Sequence, residues 1–487
     1  MSVRRWVPLP VSLLLASSLP LLAAGCRPPE PPDAGAGAAC EDFEFDVERV
    51  WSKESRTRVE AGLIEIDAAH GRVIAERVVT KMDAITRDWV MMQQQICKDT
   101  LVRKTMPEEV YTKISVCLLA NLAQQRQLVT LASAARPEQV ERLETSLIDV
   151  AADASGCLDA AVYGYYGTGA REVEARERLA EAELLERFGE AEAAAAAVAQ
   201  ARSGIDGSAS LALQVDADNA EARAASARAD YAGARALAER AATAAEAGGY
   251  ELGLADALAV LGDLDGLDGR SEAAKASLER ALAIRQRLLG DSVVTADALV
   301  AIAYVDLREA TYTNSKDAAK AAAERFAQAN AMAERVLGPD NLLATTYLAD
   351  RGLALQLLGE DAAAQGAFER ALAAQVAELG EGHPLTANTQ FGLARVRVSQ
   401  GDFAGALALY AEVLATRERY FGPTHPGVAM TYDDVGAAQL QAGDFPAAVA
   451  AYAKALEIYR TSFGDAHPLT DNCARAHAYA VQAAGGG

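Results

Sequence analysis

Apolar positions along this chain keep the period of a helix. Val78, Met82, Ile85, Trp89, Met92 and Ile96 recur at alternating spacings of three and four, drawing one stripe down a long helix. Any bundle helix needs that spacing, so core packing explains the Met and Trp residues better than a ligand box does. Thr105 followed by Pro107-Glu108-Glu109 predicts a helix start, because proline suits the first turn and carboxylates suit the positive end of the dipole. Arg136-Pro137-Glu138 predicts another, with Val140, Leu143, Leu147 and Val150 on its buried face. These helices define a domain over residues 40–165.

Downstream, the pattern repeats itself. His383-Pro384-Leu385-Thr386, His425-Pro426-Gly427-Val428 and His467-Pro468-Leu469-Thr470 recur one unit apart, as do Gly359, Gly401 and Gly443, each followed by an acidic residue. After each glycine come a small residue and an aromatic at fixed offsets: Ala364 and Phe368, Ala406 and Tyr410, Ala448 and Tyr452. Each unit therefore reads as a helix, a Gly-acidic turn, a second helix and a loop ending in the next His-Pro. Small residues let paired helices approach closely, the aromatic fills the gap toward the neighbouring unit, and proline opens the next helix. Weaker copies are anchored by Gly189, by Asp230-Tyr231, by Gly269, and by Ala322 with Phe326, the last with an insertion near Thr311–Lys316. This predicts about seven units over 171–484, closed by a capping helix at 468–484.

The unit resembles the tetratricopeptide repeat, in the longer form found in kinesin light chains. That resemblance implies a right-handed solenoid whose first helices line a concave groove suited to an extended peptide or a helix. Counting back from each glycine turn, Thr346, Asp350, Asn388, Phe391, Arg395, Asp433 and Gln441 are expected to face it. Asparagines suit a peptide backbone and Arg395 a carboxylate. The expected fold is all-α, a disulfide-bonded helical bundle followed by the solenoid.

The N-terminus changes the setting. Arg4 and Arg5, an apolar run over Val11–Leu22 and the small residues Ala23-Ala24-Gly25 precede Cys26. The run is too short for a stable span, so it reads as a cleaved export signal. Leu22-Ala23-Ala24-Gly25-Cys26 resembles the lipobox of bacterial lipoproteins, which implies acylation of Cys26 and a membrane anchor through that chain. The leucine sits one place earlier than in the strongest lipoboxes. Arg27 favours the outer membrane, and residues 26–39, rich in Pro, Gly and Ala, form a tether. A formal net charge of −22 repels nucleic acid and anionic headgroups alike.

Export gives the cysteines a meaning. Cys40, Cys97, Cys117 and Cys157 are an even set in an oxidising compartment, expected to form two disulfides with three possible pairings. If the helices around Cys97 and Cys117 form an antiparallel hairpin, those two meet and Cys40 and Cys157 tie the domain's ends. No pair has the short spacing of zinc ligands. The same cysteines, with Trp51 and Asp88-Trp89 and the later Gly248-Gly249-Tyr250, resemble the extracytoplasmic half of membrane-spanning serine/threonine kinases of myxobacteria over residues 40 to about 290. That implies a sensory or partner-binding module, here without the kinase domain.

Catalytic chemistry finds no foothold in the sequence. There is no kinase loop, nucleophile elbow, zinc-protease helix or Walker loop. His383, His425 and His467 stand one repeat apart, too far to share an ion, and read as caps. Cys473 reads as a buried thiol, with His477 one turn on. The sequence thus points to a non-enzymatic scaffold, without cofactor or metal, that binds a protein or peptide partner in the bacterial cell envelope. The alternative is a ligand-sensing module that relays to a separate signalling protein.

Overall fold

The computed structural model describes residues 40–66, 70–205 and 209–485, so the export signal, Cys26 and the tether lie outside the described residues. Six helices come first: α1 (Glu44–Val50), α2 (Lys53–Ile66), α3 (Gly71–Cys97), α4 (Glu108–Ser133), α5 (Val140–Gly156) and the single turn α6 (Ala160–Tyr163). Fifteen follow: α7 (Ala170–Arg187), α8 (Ala191–Gly204), α9 (Leu211–Ala227), α10 (Tyr231–Gly248), α11 (Glu251–Leu267), α12 (Ser271–Leu289), α13 (Val293–Thr313), α14 (Lys316–Leu337), α15 (Leu342–Leu358), α16 (Asp361–Leu379), α17 (Pro384–Ser399), α18 (Phe403–Phe421), α19 (Pro426–Gln441), α20 (Phe445–Phe463) and α21 (Pro468–Gly485). The described residues contain no strand.

In the bundle, the stripe on α3 packs inward as its spacing requires. Val78, Met82, Ile85, Trp89 and Ile96 are buried, while Met92 is half-buried and Gln93 takes the deeper place beside it. Trp89 is fully enclosed and its Nε1 donates to the Leu118 carbonyl at 2.7 Å, so the one polar atom of the largest core residue is satisfied. Helices α2 and α4 touch backbone to backbone at Gly62, where a Cβ would sit 2.4 Å from the Ser133 carbonyl oxygen.

Two disulfides staple this bundle, Cys40–Cys97 and Cys117–Cys157, with Cα separations of 5.6 and 5.5 Å. The hairpin that would join Cys97 to Cys117 does not put them level. Cys97 ends α3, whereas Cys117 lies well inside α4, which starts at Glu108. Nine residues of helix are about 14 Å of rise, roughly twice the reach of a disulfide. Cys97 instead meets Cys40, ahead of α1, and Cys117 meets the end of α5.

The remaining helices stack as pairs, α7/α8 through α19/α20, with α21 as a last unpaired helix. In the sharpest units, the first helix opens on histidine and proline. The Nδ1 atoms of His383, His425 and His467 accept the backbone N–H two residues on, at 3.2, 3.1 and 3.2 Å, in place of the usual Ser or Asp cap. Phe368, fully buried, lies between Gly352 and Gly392 of the flanking first helices, where a Cβ on Gly392 would come within 2.5 Å of its ring. The expected insertion near Thr311–Lys316 is a longer α13, ended by Asn314 in the left-handed region (φ 56°).

The turn inside each pair needs one left-handed residue. Gly401 supplies it at φ 81°, and Asp402 then caps α18 by accepting from Gly405 N at 2.9 Å. In the α9/α10 unit Ala229 holds the same turn at φ 62°. Gly401→Ala is expected to cost about 1 kcal/mol and Ala229→Gly to gain a comparable amount, read as opposite shifts of the urea midpoint.

The superhelix curls until its later units meet the bundle again. Ile148 of α5 packs with Leu342, Leu379 and Leu385, and Tyr420 and Phe421 of α18 join the bundle core. Buried Glu144 accepts from Arg77 Nε at 2.8 Å, and Arg77 Nη1 reaches on to the Glu378 carbonyl at 3.1 Å. Lys81 Nζ pairs with Glu378 at 2.6 Å, and His70 Nδ1 lies 3.1 Å from Arg419 Nη1. The first domain in the chain thus closes the ring formed by the last ones.

Candidate functional site

Closing the ring leaves a hollow. A cavity of about 1190 Å³ lies between α3, α4, α5 and α6 of the bundle and the inner faces of α7, α9 and α11, and it extends to Asp297 on α13. Its repeat wall is built from equivalent positions of successive first helices. Arg176, Asp216, Asp256 and Asp297 form one row, and Glu183, Arg223 and Asp263 form a second row two turns further along. Helical spacing aligns the rows, and repeat stacking sets them side by side.

Each cation on this wall is paired with a carboxylate, although Arg176 Nε has no hydrogen-bond partner. Arg176 pairs with Asp216 at 2.9 Å and with Glu172 at 3.2 Å, and it lies 3.9 Å over the Tyr166 ring. Arg187 pairs with Asp149 at 3.1 Å and Glu183 at 2.9 Å, joining α7 to α5, with Asp153 at 3.9 Å. Arg223 holds Glu186 at 3.1 Å, and Arg285 holds Asp256 at 2.8 Å. Lys81 is taken by Glu378.

Carboxylates remain in surplus. Burial pushes Asp153 up to about 7 and Asp149 to about 6, against the pull of Arg187, while Glu183 in the same cluster is held below its usual range by that arginine. Asp263 lines the cavity and makes no hydrogen bond or ion pair with any described residue; desolvation raises it to about 6, against the pull of Arg285 and Arg308. Asn219, one turn beyond Asp216, is 2% exposed; its Nδ2 donates to the Gly253 carbonyl at 2.9 Å, and its Oδ1 has no partner. Among the described residues no group of three His, Cys, Asp or Glu is arranged to hold a metal ion. Nor is any described helix long and apolar enough to cross a membrane.

The groove residues read from the sequence all fall on first helices, α15, α17 and α19, but none lines this cavity. Thr346 Oγ1 donates within its helix to the Leu342 carbonyl. Asp350 accepts from the Tyr304 hydroxyl at 2.8 Å, and burial raises it to about 7. Asn388 and Phe391 gather around Arg417, which donates to Asn388 Oδ1 at 3.1 Å and lies 4.5 Å over the Phe391 ring. Arg395 stands 3.7 Å from Asp434, Asp433 faces the Cys473 thiol, and Gln441 is exposed at the far end of α19. They form three small clusters rather than one surface. The cavity row was accessible to the same counting one or more units upstream, where Asp216, Asp256 and Asp297 recur at near-repeat spacing. Alanine-rich, degenerate units hid it.

Tetratricopeptide-repeat family patterns match residues 254–292, 343–418 and 385–461. No curated protein matches the chain. Among solved structures, BtubC (BKLC) from P. vanneervenii is 20% identical over 53% of this chain and 94% of its own, with a TM-score of 0.39. The kinesin-light-chain-like repeats of Podosopora anserina are 22% identical over 37% of this chain and 85% of theirs, with a TM-score of 0.32. Aspartyl phosphate phosphatase F from Bacillus subtilis is 13% identical over 81% of this chain and 97% of its own, with a TM-score of 0.38. The matched segments of this chain are tetratricopeptide repeats, set in an all-helical solenoid of like helix pairs.

Proposed function

We propose that this chain is a lipid-anchored scaffold of the bacterial cell envelope that binds a protein or peptide partner through its tetratricopeptide repeats. The observation that carries the binding reading is the cavity walled by the inner helices α7, α9 and α11. It is larger than the usual small-ligand site of up to about 1,000 Å³, and mixed in character, as a peptide segment requires. The anchor rests on the signal pattern ending at Cys26 and on the Pro-, Gly- and Ala-rich stretch behind it. Acylation there would hold the folded body at the outer membrane, facing the periplasm or the cell surface.

The test is proximity crosslinking in intact cells, comparing the native chain with Cys26→Ser. Specific envelope proteins should crosslink to the native chain and fade when the anchor is lost. Enrichment of no protein with either form would sink the scaffold reading. A second reading, a sensor that relays occupancy to a signalling protein, is favoured by one feature: the bundle supplies one wall of the cavity and also grips α16 and α18. Filling the cavity would then alter how the bundle is held, which hydrogen exchange of α3 and α5 would register.

A further inference from the structure

The bundle meets the repeats at two joints of different construction. At the first, the core runs through: Leu184 and Phe188 of α7 belong to the bundle core, and Leu131 of α4 packs against the core shared by α7, α8 and α9. Arg142 adds a hydrogen bond to the Phe188 carbonyl at 2.7 Å, and Arg187 pairs with Asp149 at 3.1 Å. The second joint, with α15 to α18, brings Arg77 to Glu378 across 301 residues of chain. There Ile148 seats on Leu342, Leu379 and Leu385, Tyr420 and Phe421 reach the bundle core, and Lys81 pairs with Glu378.

This second seam is incompletely satisfied. Glu144 Oε2 is buried without a hydrogen bond, Lys81 standing 3.6 Å away. His383 Nε2 is likewise buried without one, in the field of the same Arg77 and Lys81. Enclosed polar atoms without a partner are rare in folded proteins, and exposure to water relieves both. Apolar contact therefore holds the seam shut while its polar atoms work against closure. The repeats between the two joints touch mainly their neighbours, so a small rotation in each of several units parts the seam without breaking any unit.

We propose that the seam is a clasp: the bundle stays fixed on α7, and the ring opens and closes at the Ile148 and Tyr420 contacts. Opening widens the way to the inner faces of α7, α9 and α11, so the clasp regulates entry to the cavity. That consequence rests on the cavity being the binding site. A ring fused into one cooperative core is the competing arrangement, and the two differ in how the seam comes apart.

The test follows the full chain without any partner. Ile148→Cys and Val150→Cys each place a thiol on α5, the first in the seam and the second in the bundle core. Iodoacetamide should alkylate the Ile148→Cys site at least about tenfold faster, because the seam opens while the bundle stays folded. Equal rates would overturn the clasp, since both sites would then wait for the same unfolding. Two variants should hold the ring open: Ile148→Asp, which puts a charge in the apolar contact, and Glu378→Lys, which sets a cation against Arg77 and Lys81. Each should raise the radius of gyration in X-ray scattering by about a tenth, ~2 Å for a chain of this size, with helicity unchanged. Glu192→Lys, on the exposed face of α8, should keep the parent's value. Scattering like the parent's in both variants, or expansion only with loss of helicity, would also overturn it. Neither readout involves a ligand, so its failure removes the clasp and leaves the scaffold reading standing.

Discussion

Arg77→Met is expected to destabilise the protein by about 3 kcal/mol and to loosen the bundle from the later repeats. Glu144 is wholly enclosed, and Arg77 is its principal partner; Lys81 stands 3.6 Å away, and Glu144 Oε2 has no hydrogen bond. Deleting one member of a buried pair leaves the other's desolvation uncompensated, the situation that costs about 3–5 kcal/mol. Replacing both with apolar residues of similar volume, Arg77→Met with Glu144→Leu, should recover most of the loss, because no charge is then left buried. The partly exposed Lys81–Glu378 pair should contribute less than about 1 kcal/mol. Denaturant midpoints of the two single variants and the double variant measure this. Equal and additive losses would refute the pairing argument. Hydrogen exchange adds the structural readout: α5 and the end of α16 should lose protection together in Arg77→Met.

That contact also marks the boundary of what the sequence can disclose. The repeats were legible because their marks are local: a glycine forced into the left-handed region, a histidine capping the helix it precedes, an aromatic between small residues. Their spacing alone marks the histidines as caps, and each Nδ1 accepts the backbone N–H two residues on. The ring closure is different. Arg77 and Glu378 stand 301 residues apart, and nothing near either one announces the other. Counting from the sharpest repeats therefore leads to Asn388 and Arg395, while the enclosed space lies along degenerate units whose inner row is Asp216, Asp256 and Asp297. The disulfides do not follow the antiparallel hairpin for a related reason. Helix order is readable, but the height at which Cys117 sits on α4 depends on where a ten-residue connection lets that helix begin.

Lowering the pH from 8 to 6 is expected to stabilise the protein, by about 2 kcal/mol. Burial raises Asp153 and Asp350 to about 7 and Asp149 and Asp434 to about 6. A carboxylate whose folded pKa exceeds its unfolded value near 4 binds more protons in the folded state between those two values. The folded state is therefore penalised as pH rises through that window, and the penalty is complete above the folded pKa. On the way down from pH 8, Asp153 and Asp350 are relieved first. His383 opposes them: burial, with Arg77 and Lys81 nearby, lowers it to about 3, so the unfolded chain gains a proton near pH 6.5 that the folded chain refuses. One histidine offsets less than 1 kcal/mol by pH 6, and the four carboxylates together outweigh it. Asp153→Asn with Asp350→Asn should be more stable than the parent at pH 8 and nearly flat between pH 8 and 6. His383→Asn, which keeps a capping side chain, should steepen the rise. Urea midpoints at the two pH values decide the sign, and a parent chain that loses stability on acidification would mean these carboxylates are better solvated than their enclosure implies.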